Sequence, residues 1–141
     1  AGAAARGDCL YWANAQLAYF CGVDARCALE AVGTDKGGPW AVRRSLANVD
    51  AAFAAVGLVE DLEASLAVLE KVLPTYFGGL AAAYASASTH SRPTVASLTR
   101  SDVLSADALA FMRTGVLRWE YELYERLSAG FARQKGACGI E

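Results

Sequence analysis

Apolar residues in this chain recur at helix spacing in three stretches, the first two of them bounded by glycine or proline. That pattern commits most of the sequence to short helices packed on one another. From Gly37 onward, Gly-Gly breaks the chain and Pro39 suits a first helical position. Val42, Leu46, Val49 and Phe53 then mark one helix face, with a stop predicted at Gly57. Leu62, Leu66, Leu69 and Leu73 form the stripe of a second helix, opened by acidic Glu60 and Asp61 and ended by Pro74, which cannot donate the next backbone hydrogen bond. Ser105, with Asp107 in the first turn, caps a long last helix whose stripe runs through Leu109, Met112, Val116, Trp119, Leu123, Leu127 and Phe131. Between these, Ala55 to Val59 reads as a short buried strand, Leu10 to Phe20 as extended or irregular packing, and Tyr76 to Tyr84 as a short helix weakened by Gly78-Gly79. Ala85 to Arg100 is a hydroxyl-rich polar stretch, either a connector or an anion-contacting loop. Nothing suggests an internal repeat or a second domain.

The same residues exclude several kinds of chemistry. Thirteen Lys and Arg against fifteen Asp and Glu leave a net charge of -2, without the broad positive field that nucleic acid requires. A mean hydropathy of +0.23 comes largely from alanine, and no apolar run approaches the roughly 18 to 20 residues of a spanning helix. The lone histidine, His90, has no carboxylate nearby in sequence, and no Gly-x-Ser-x-Gly turn exists, so no catalytic triad assembles. Gly33 to Gly38 is a glycine-rich turn and not a complete phosphate-binding loop. Glu120, Glu122 and Glu125 are spread around the last helix and read as a solvated face. The cysteines Cys9, Cys21, Cys27 and Cys138 lack the spacing of a zinc site, which leaves disulfides or free thiols. The short polar loop between Cys21 and Cys27 can be closed by a bridge; the alternative is a reduced pair.

Several segments, in order, resemble one family. Tyr19-Phe20-Cys21-Gly22 through Arg26-Cys27 looks like the Phe-Cys-Gly-x-x-x-x-Cys segment of the heparan sulfate and uronyl 2-O-sulfotransferases, with both ends nearer the uronyl branch. Trp40-Ala41, Asn48 and then Val56-Gly57-Leu58-Val59-Glu60-Asp61-Leu62-Glu63 are similar to that family's Trp-Ala helix and the Val-Gly stretch that follows it. Leu69-Glu70, Leu73-Pro74-Thr75-Tyr76-Phe77-Gly78-Gly79 and Glu120-Tyr121-Glu122-Leu123-Tyr124-Glu125 continue the likeness, which runs from Cys9 to about Lys135.

The resemblance implies an α/β, P-loop-like sulfotransferase fold using 3'-phosphoadenosine 5'-phosphosulfate (PAPS), with residues 1-141 as the mainly helical C-terminal part of a single domain. The family transfers a sulfuryl group from PAPS to the 2-hydroxyl of a uronic acid in a glycosaminoglycan, and no metal is expected. Its phosphosulfate loop and histidine base lie upstream of the matching region. His90 does not match that base, so no catalytic residue is assigned and the chain alone is expected to be inactive. A sequence starting at Ala1 without methionine agrees with a fragment. For the cofactor, Tyr84 matches the tyrosine after the Pro-aromatic-aromatic-x-Gly segment; in the following loop, Ser97 and Arg100 match the family's hydroxyl and basic positions counted back from Glu120, whereas Ser91 matches counted forward from Tyr84, and such groups donate to the 3'-phosphate. Cys21 and Cys27 are expected to be bridged. The family partner of Cys9 would fall at or before Ala1, leaving Cys9 unpaired and Cys138 a tail thiol, with a Cys9 to Cys138 bridge as the alternative. The resemblance then implies, for the parent, a Golgi-lumen, type II membrane enzyme acting on a glycosaminoglycan chain, with heparan sulfate, dermatan and chondroitin as the alternatives, and a homo-oligomer. The rival readings are a non-enzymatic helical interaction module and a sulfotransferase homologue without activity.

Overall fold

The computed structural model describes residues 13–87 and 105–140, and these divide into two compact units. Among the described residues the ordered elements are helices, with no strand. The expected helical content is therefore found, and two of the non-helical readings need correction.

In the first unit, α1 spans Ala15–Cys21, a 3-10 turn covers Ala25–Cys27, α2 spans Leu29–Val32 and α3 spans Gly38–Ala52. Residues 15–21 are helical, although their sequence shows no clean helical period. A seven-residue helix is too short to be stable alone, because nucleation fixes several dihedrals for each early hydrogen bond. Tertiary partners complete it instead. At its C-terminal end, Asn48 Nδ2 on α3 donates to the carbonyls of Phe20 and Cys21 at 2.9 Å and 2.9 Å. Ser45 Oγ donates to the Leu17 carbonyl at 3.3 Å.

These contacts also explain which face of α3 is buried. Ala41, Val42 and Ser45 are the core residues, whereas the predicted stripe continues to Phe53, which is exposed beyond the end of the helix at Ala52. Small Ala and Ser side chains let α1 approach α3 closely, and the hydroxyl and amide groups then reach its backbone. The helix ends five residues before the predicted stop at Gly57.

In the second unit, α4 spans Leu62–Val72, α5 spans Pro74–Phe77 and α6 spans Leu80–Ser86. Pro74 ends α4 as predicted and starts α5. The single helix expected over Tyr76 to Tyr84 is instead interrupted by Gly78 and Gly79, the latter at φ 83°, a left-handed conformation that glycine adopts without steric cost. Residues 55–58 form no strand. Leu58 has the φ and ψ of a β residue, and the Ser65 side chain replaces a neighbouring strand: the Leu58 N–H donates to Ser65 Oγ at 2.8 Å, and Ser65 Oγ donates to the Leu58 carbonyl at 3.0 Å. The core here is Ala64, Val68 and Phe131, with Ala55, Leu58, Val72 and Ile140 packed against it. The leucine stripe of α4 is thus the shoulder of the buried face, and the small residues beside it form the centre.

The last segment contains two helices, α7 over Ala106–Thr114 and α8 over Arg118–Ala137. Ser105 caps α7 as predicted, accepting from the Ala108 N–H at 3.2 Å. The predicted continuous helix is interrupted at Gly115, whose φ of -110° and ψ of -111° depart from the helical region. The predicted stripe is retained on α8, where Trp119, Leu123 and Phe131 are buried. Residues up to Arg126 belong to the first unit and those from Leu127 to the second.

Candidate functional site

Of the residues assigned to the cofactor, Tyr84 is described; Ser91, Ser97 and Arg100 lie outside the described residues, as do His90 and Cys9. Tyr84 sits on α6 and is half-buried. The position of α6 is set by Glu70. Its two carboxylate oxygens accept from the N–H groups of Gly79 at 2.8 Å and Ala81 at 3.1 Å, so one side chain on α4 caps the start of α6. The cap satisfies donors that the helix cannot satisfy itself, and it places a negative charge at the positive end of the helix. These two backbone hydrogen bonds hold the Glu70 carboxyl below the usual glutamate range. Pro74, Gly78 and Gly79 turn the chain sharply enough for α6 to pack on α4. The motif read as Leu-Glu, Leu-Pro-x-aromatic-aromatic-Gly-Gly is therefore a device for orienting the helix that carries Tyr84.

A second cluster surrounds the disulfide. Cys21 and Cys27 are bridged, as expected, with a Cα to Cα distance of 5.5 Å, and both cysteines are buried. Within the closed loop, Asp24 caps the 3-10 turn by accepting from the Arg26 N–H at 2.9 Å. The Arg26 guanidinium donates to both carboxylate oxygens of Asp24, at 3.0 Å and 2.8 Å, and lies 4.0 Å from the Trp40 ring centroid. The Arg26 hydrogen bonds hold the Asp24 carboxyl well below the usual carboxylate range. A cationic group stacked on an aromatic face and fixed by a bidentate carboxylate is pre-organised. Asp24 and Arg26 were not singled out from sequence, although Asp two residues before Arg is a readable local cap.

The three glutamates of the last long helix separate by role. Glu122 pairs with Arg126 one turn later at 3.1 Å, and Glu125 is exposed, as a solvated face requires. Glu120 departs from that reading, being partly buried, and burial pushes its carboxyl above the usual glutamate range. No sequence signal marks which of the three glutamates the packing covers. Cys138 is a free, partly buried thiol. Among the described residues, no group of three or more His, Cys, Asp or Glu side chains converges, and no helix is long and apolar enough to cross a membrane.

Two curated proteins align with most of the chain. Mouse uronyl 2-sulfotransferase is 31% identical over 125 residues, and human uronyl 2-sulfotransferase is 30% identical over 125 residues. In both cases the alignment covers 89% of this chain and 29% of the relative, so the chain spans less than a third of the length of the proteins it matches. No family model and no solved structure matches it.

Proposed function

We propose, from a chain that is uronyl 2-sulfotransferase-like over 89% of its length, that it forms the helical C-terminal part of a PAPS-dependent glycosaminoglycan 2-O-sulfotransferase. The observation that carries this reading is an alignment of 125 residues that takes in both the disulfide loop and the helices around Tyr84. In the proposed reaction, a uronic acid 2-hydroxyl attacks the sulfur of PAPS in line. A new S–O ester bond forms, the bond from sulfur to the bridging phosphate oxygen breaks, and 3'-phosphoadenosine 5'-phosphate departs. The hydroxyl proton passes to a histidine base contributed by the rest of the parent, and cationic donors hold the charge on the leaving phosphate.

The share assigned to this chain is one wall of the nucleotide site. Tyr84, presented by α6, packs or hydrogen-bonds against the nucleotide, and Ser91, Ser97 and Arg100 donate to the 3'-phosphate. Residues of the upstream α/β portion supply the phosphosulfate loop and the base, so this chain by itself transfers nothing. The Cys21 to Cys27 bridge supports an oxidising compartment, which agrees with a Golgi-lumen parent anchored as a type II membrane protein.

The deciding experiment measures transfer of radiolabelled sulfate from PAPS to defined dermatan, chondroitin and heparan acceptors by the full polypeptide that carries this chain. Label recovered on the 2-position of a uronic acid is the expected result. Absence of both transfer and nucleotide binding would sink the proposal and favour a helical interaction module.

A further inference from the structure

α6 is too short to hold its own place. It has seven residues, and a helix of two turns is marginal without outside partners, because nucleation fixes several dihedrals for each early hydrogen bond. The turn that leads into it is made of backbone: the Gly78 N–H donates to the Pro74 carbonyl at 2.9 Å, and Gly79 has open space where a Cβ would stand. Two glycines contribute no side chain to fix the angle at which α6 leaves. The fixing group comes from α4, where Glu70 Oε1 accepts from the Gly79 N–H at 2.8 Å and Oε2 from the Ala81 N–H at 3.1 Å. Gly79 and Ala81 flank the first residue of the helix, so one carboxylate grips its first turn at two points. Tyr84 follows Ala81 by three residues, one turn further along the same face.

We infer that Glu70 is a positioning residue for the donor nucleotide: by gripping the Gly79 and Ala81 N–H groups it holds α6 in the orientation that presents Tyr84 to PAPS, and it touches neither the nucleotide nor the reacting atoms. The inference rests on the reading of Tyr84 as part of the nucleotide wall. The other side chains of α6 are Leu80, alanines and Ser86, whose hydroxyl donates to the Ala83 carbonyl at 2.9 Å. The helix start, which would otherwise attract a phosphate, is already occupied by the Glu70 carboxylate. Tyr84 is therefore what α6 has to offer a nucleotide.

The residue type follows from the geometry, which needs two acceptors at the end of an arm that reaches from α4 to α6. Glutamine has the reach but brings a single acceptor, and its NH2 is set against a backbone donor. Aspartate has both acceptors and is shorter by one methylene. Because Glu70 acts through Tyr84, its removal should cost no more affinity than removal of Tyr84, and should cost nothing once Tyr84 is gone.

The test is a double-mutant cycle in the full polypeptide that carries this chain, with initial rates at varied PAPS and saturating acceptor, and the reverse. Glu70→Ala should raise the KM for PAPS by up to about tenfold, the scale of one lost aromatic contact to a base, with a smaller change in kcat and none in the KM for the acceptor. Glu70→Gln, which keeps one acceptor, should raise it by less, and Glu70→Asp should resemble Glu70→Ala. Combining Glu70→Ala with Tyr84→Ala should give the KM of Tyr84→Ala alone. Should Glu70→Ala fail to fold, Glu70→Gln carries the same comparison. Increases that multiply in the double variant would overturn the inference, since Glu70 would then act by another route. So would a Glu70 variant that lowers only the active fraction and leaves KM in place while Tyr84→Ala raises it. An unchanged KM in Tyr84→Ala would overturn the nucleotide-wall reading itself and the inference with it, which tells the two failures apart.

Discussion

Ser65 shows how much one side chain can decide. Its hydroxyl both accepts from the N–H of Leu58 and donates to the carbonyl of the same residue, so both backbone groups of Leu58 are satisfied without a sheet. Gly57 makes the approach possible, since a Cβ there would lie 2.8 Å from the Ser65 Cβ. Ser65→Ala keeps the size and removes both bonds, leaving partly buried backbone groups unpaired. A loss of about 1 to 3 kcal/mol in denaturant-derived stability is expected. Gly38 is constrained differently: its φ is ordinary, but a Cβ would overlap the ring of Trp119. Gly38→Ala should therefore cost about 1 to 3 kcal/mol through overpacking, read from the unfolding midpoint, despite alanine being the better helix former. If Gly38→Ala were instead stabilising, the close approach of Trp119 to α3 would be wrong.

At the scale of elements, the short helices are held by partners from outside themselves. α1 is fastened at its C-terminal end by Asn48, Asn14 just before it donates to the Val116 carbonyl, and its last residue, Cys21, closes the disulfide. Replacing Cys21 and Cys27 together by serine frees a loop of this size in the unfolded chain, at a cost of about 2 kcal/mol in the loop-entropy account. Equilibrium unfolding of the double variant beside the oxidised parent checks it. α6 depends on Glu70 in the same way. Because the two backbone hydrogen bonds depress the Glu70 pKa, their contribution is present above the unfolded value and is lost as pH falls through the folded one. Amide exchange at Gly79 and Ala81, corrected for intrinsic rates, should therefore accelerate on acidification. In Glu70→Gln, which keeps one acceptor and no charge, that acid dependence should disappear. Exchange at these two amides that ignored the substitution would count against the cap.

For the whole molecule, the functional consequence lies on α6. If the chain supplies one wall of the nucleotide site, Tyr84→Ala in the complete enzyme should raise the KM for PAPS by about tenfold, the scale of one lost aromatic contact to a base, with a smaller change in kcat. Initial rates at varied PAPS and saturating acceptor distinguish this from a general loss of fold, which would lower the active fraction and leave KM in place. The disulfide, the cap at Ser105, the stop at Pro74 and the buried face of α8 through Trp119, Leu123 and Phe131 were legible in the sequence, because each rests on neighbours in the chain or on helical period. The likeness to the uronyl 2-sulfotransferases was legible for a related reason, since motif order and spacing survive as a linear pattern.

What the sequence by itself determined is thus the local punctuation: where glycine and proline interrupt the helices, which residues cap them, and which stripes are apolar. Backbone stereochemistry and hydrogen-bond donors act within a few residues, so these features need no tertiary information. Tertiary structure decided the helical state of residues 15–21, the absence of a strand at 55–58 and the burial of Glu120. In the first two, the group that satisfies the backbone comes from elsewhere: Asn48 and Ser45 for α1, and Ser65 for Leu58. Folding also selected Ala41, Ser45, Ala64 and Ser65 over the larger leucines for the closest contacts. Small side chains let helix backbones approach within reach of those hydrogen bonds, and no scale of side-chain hydrophobicity records that.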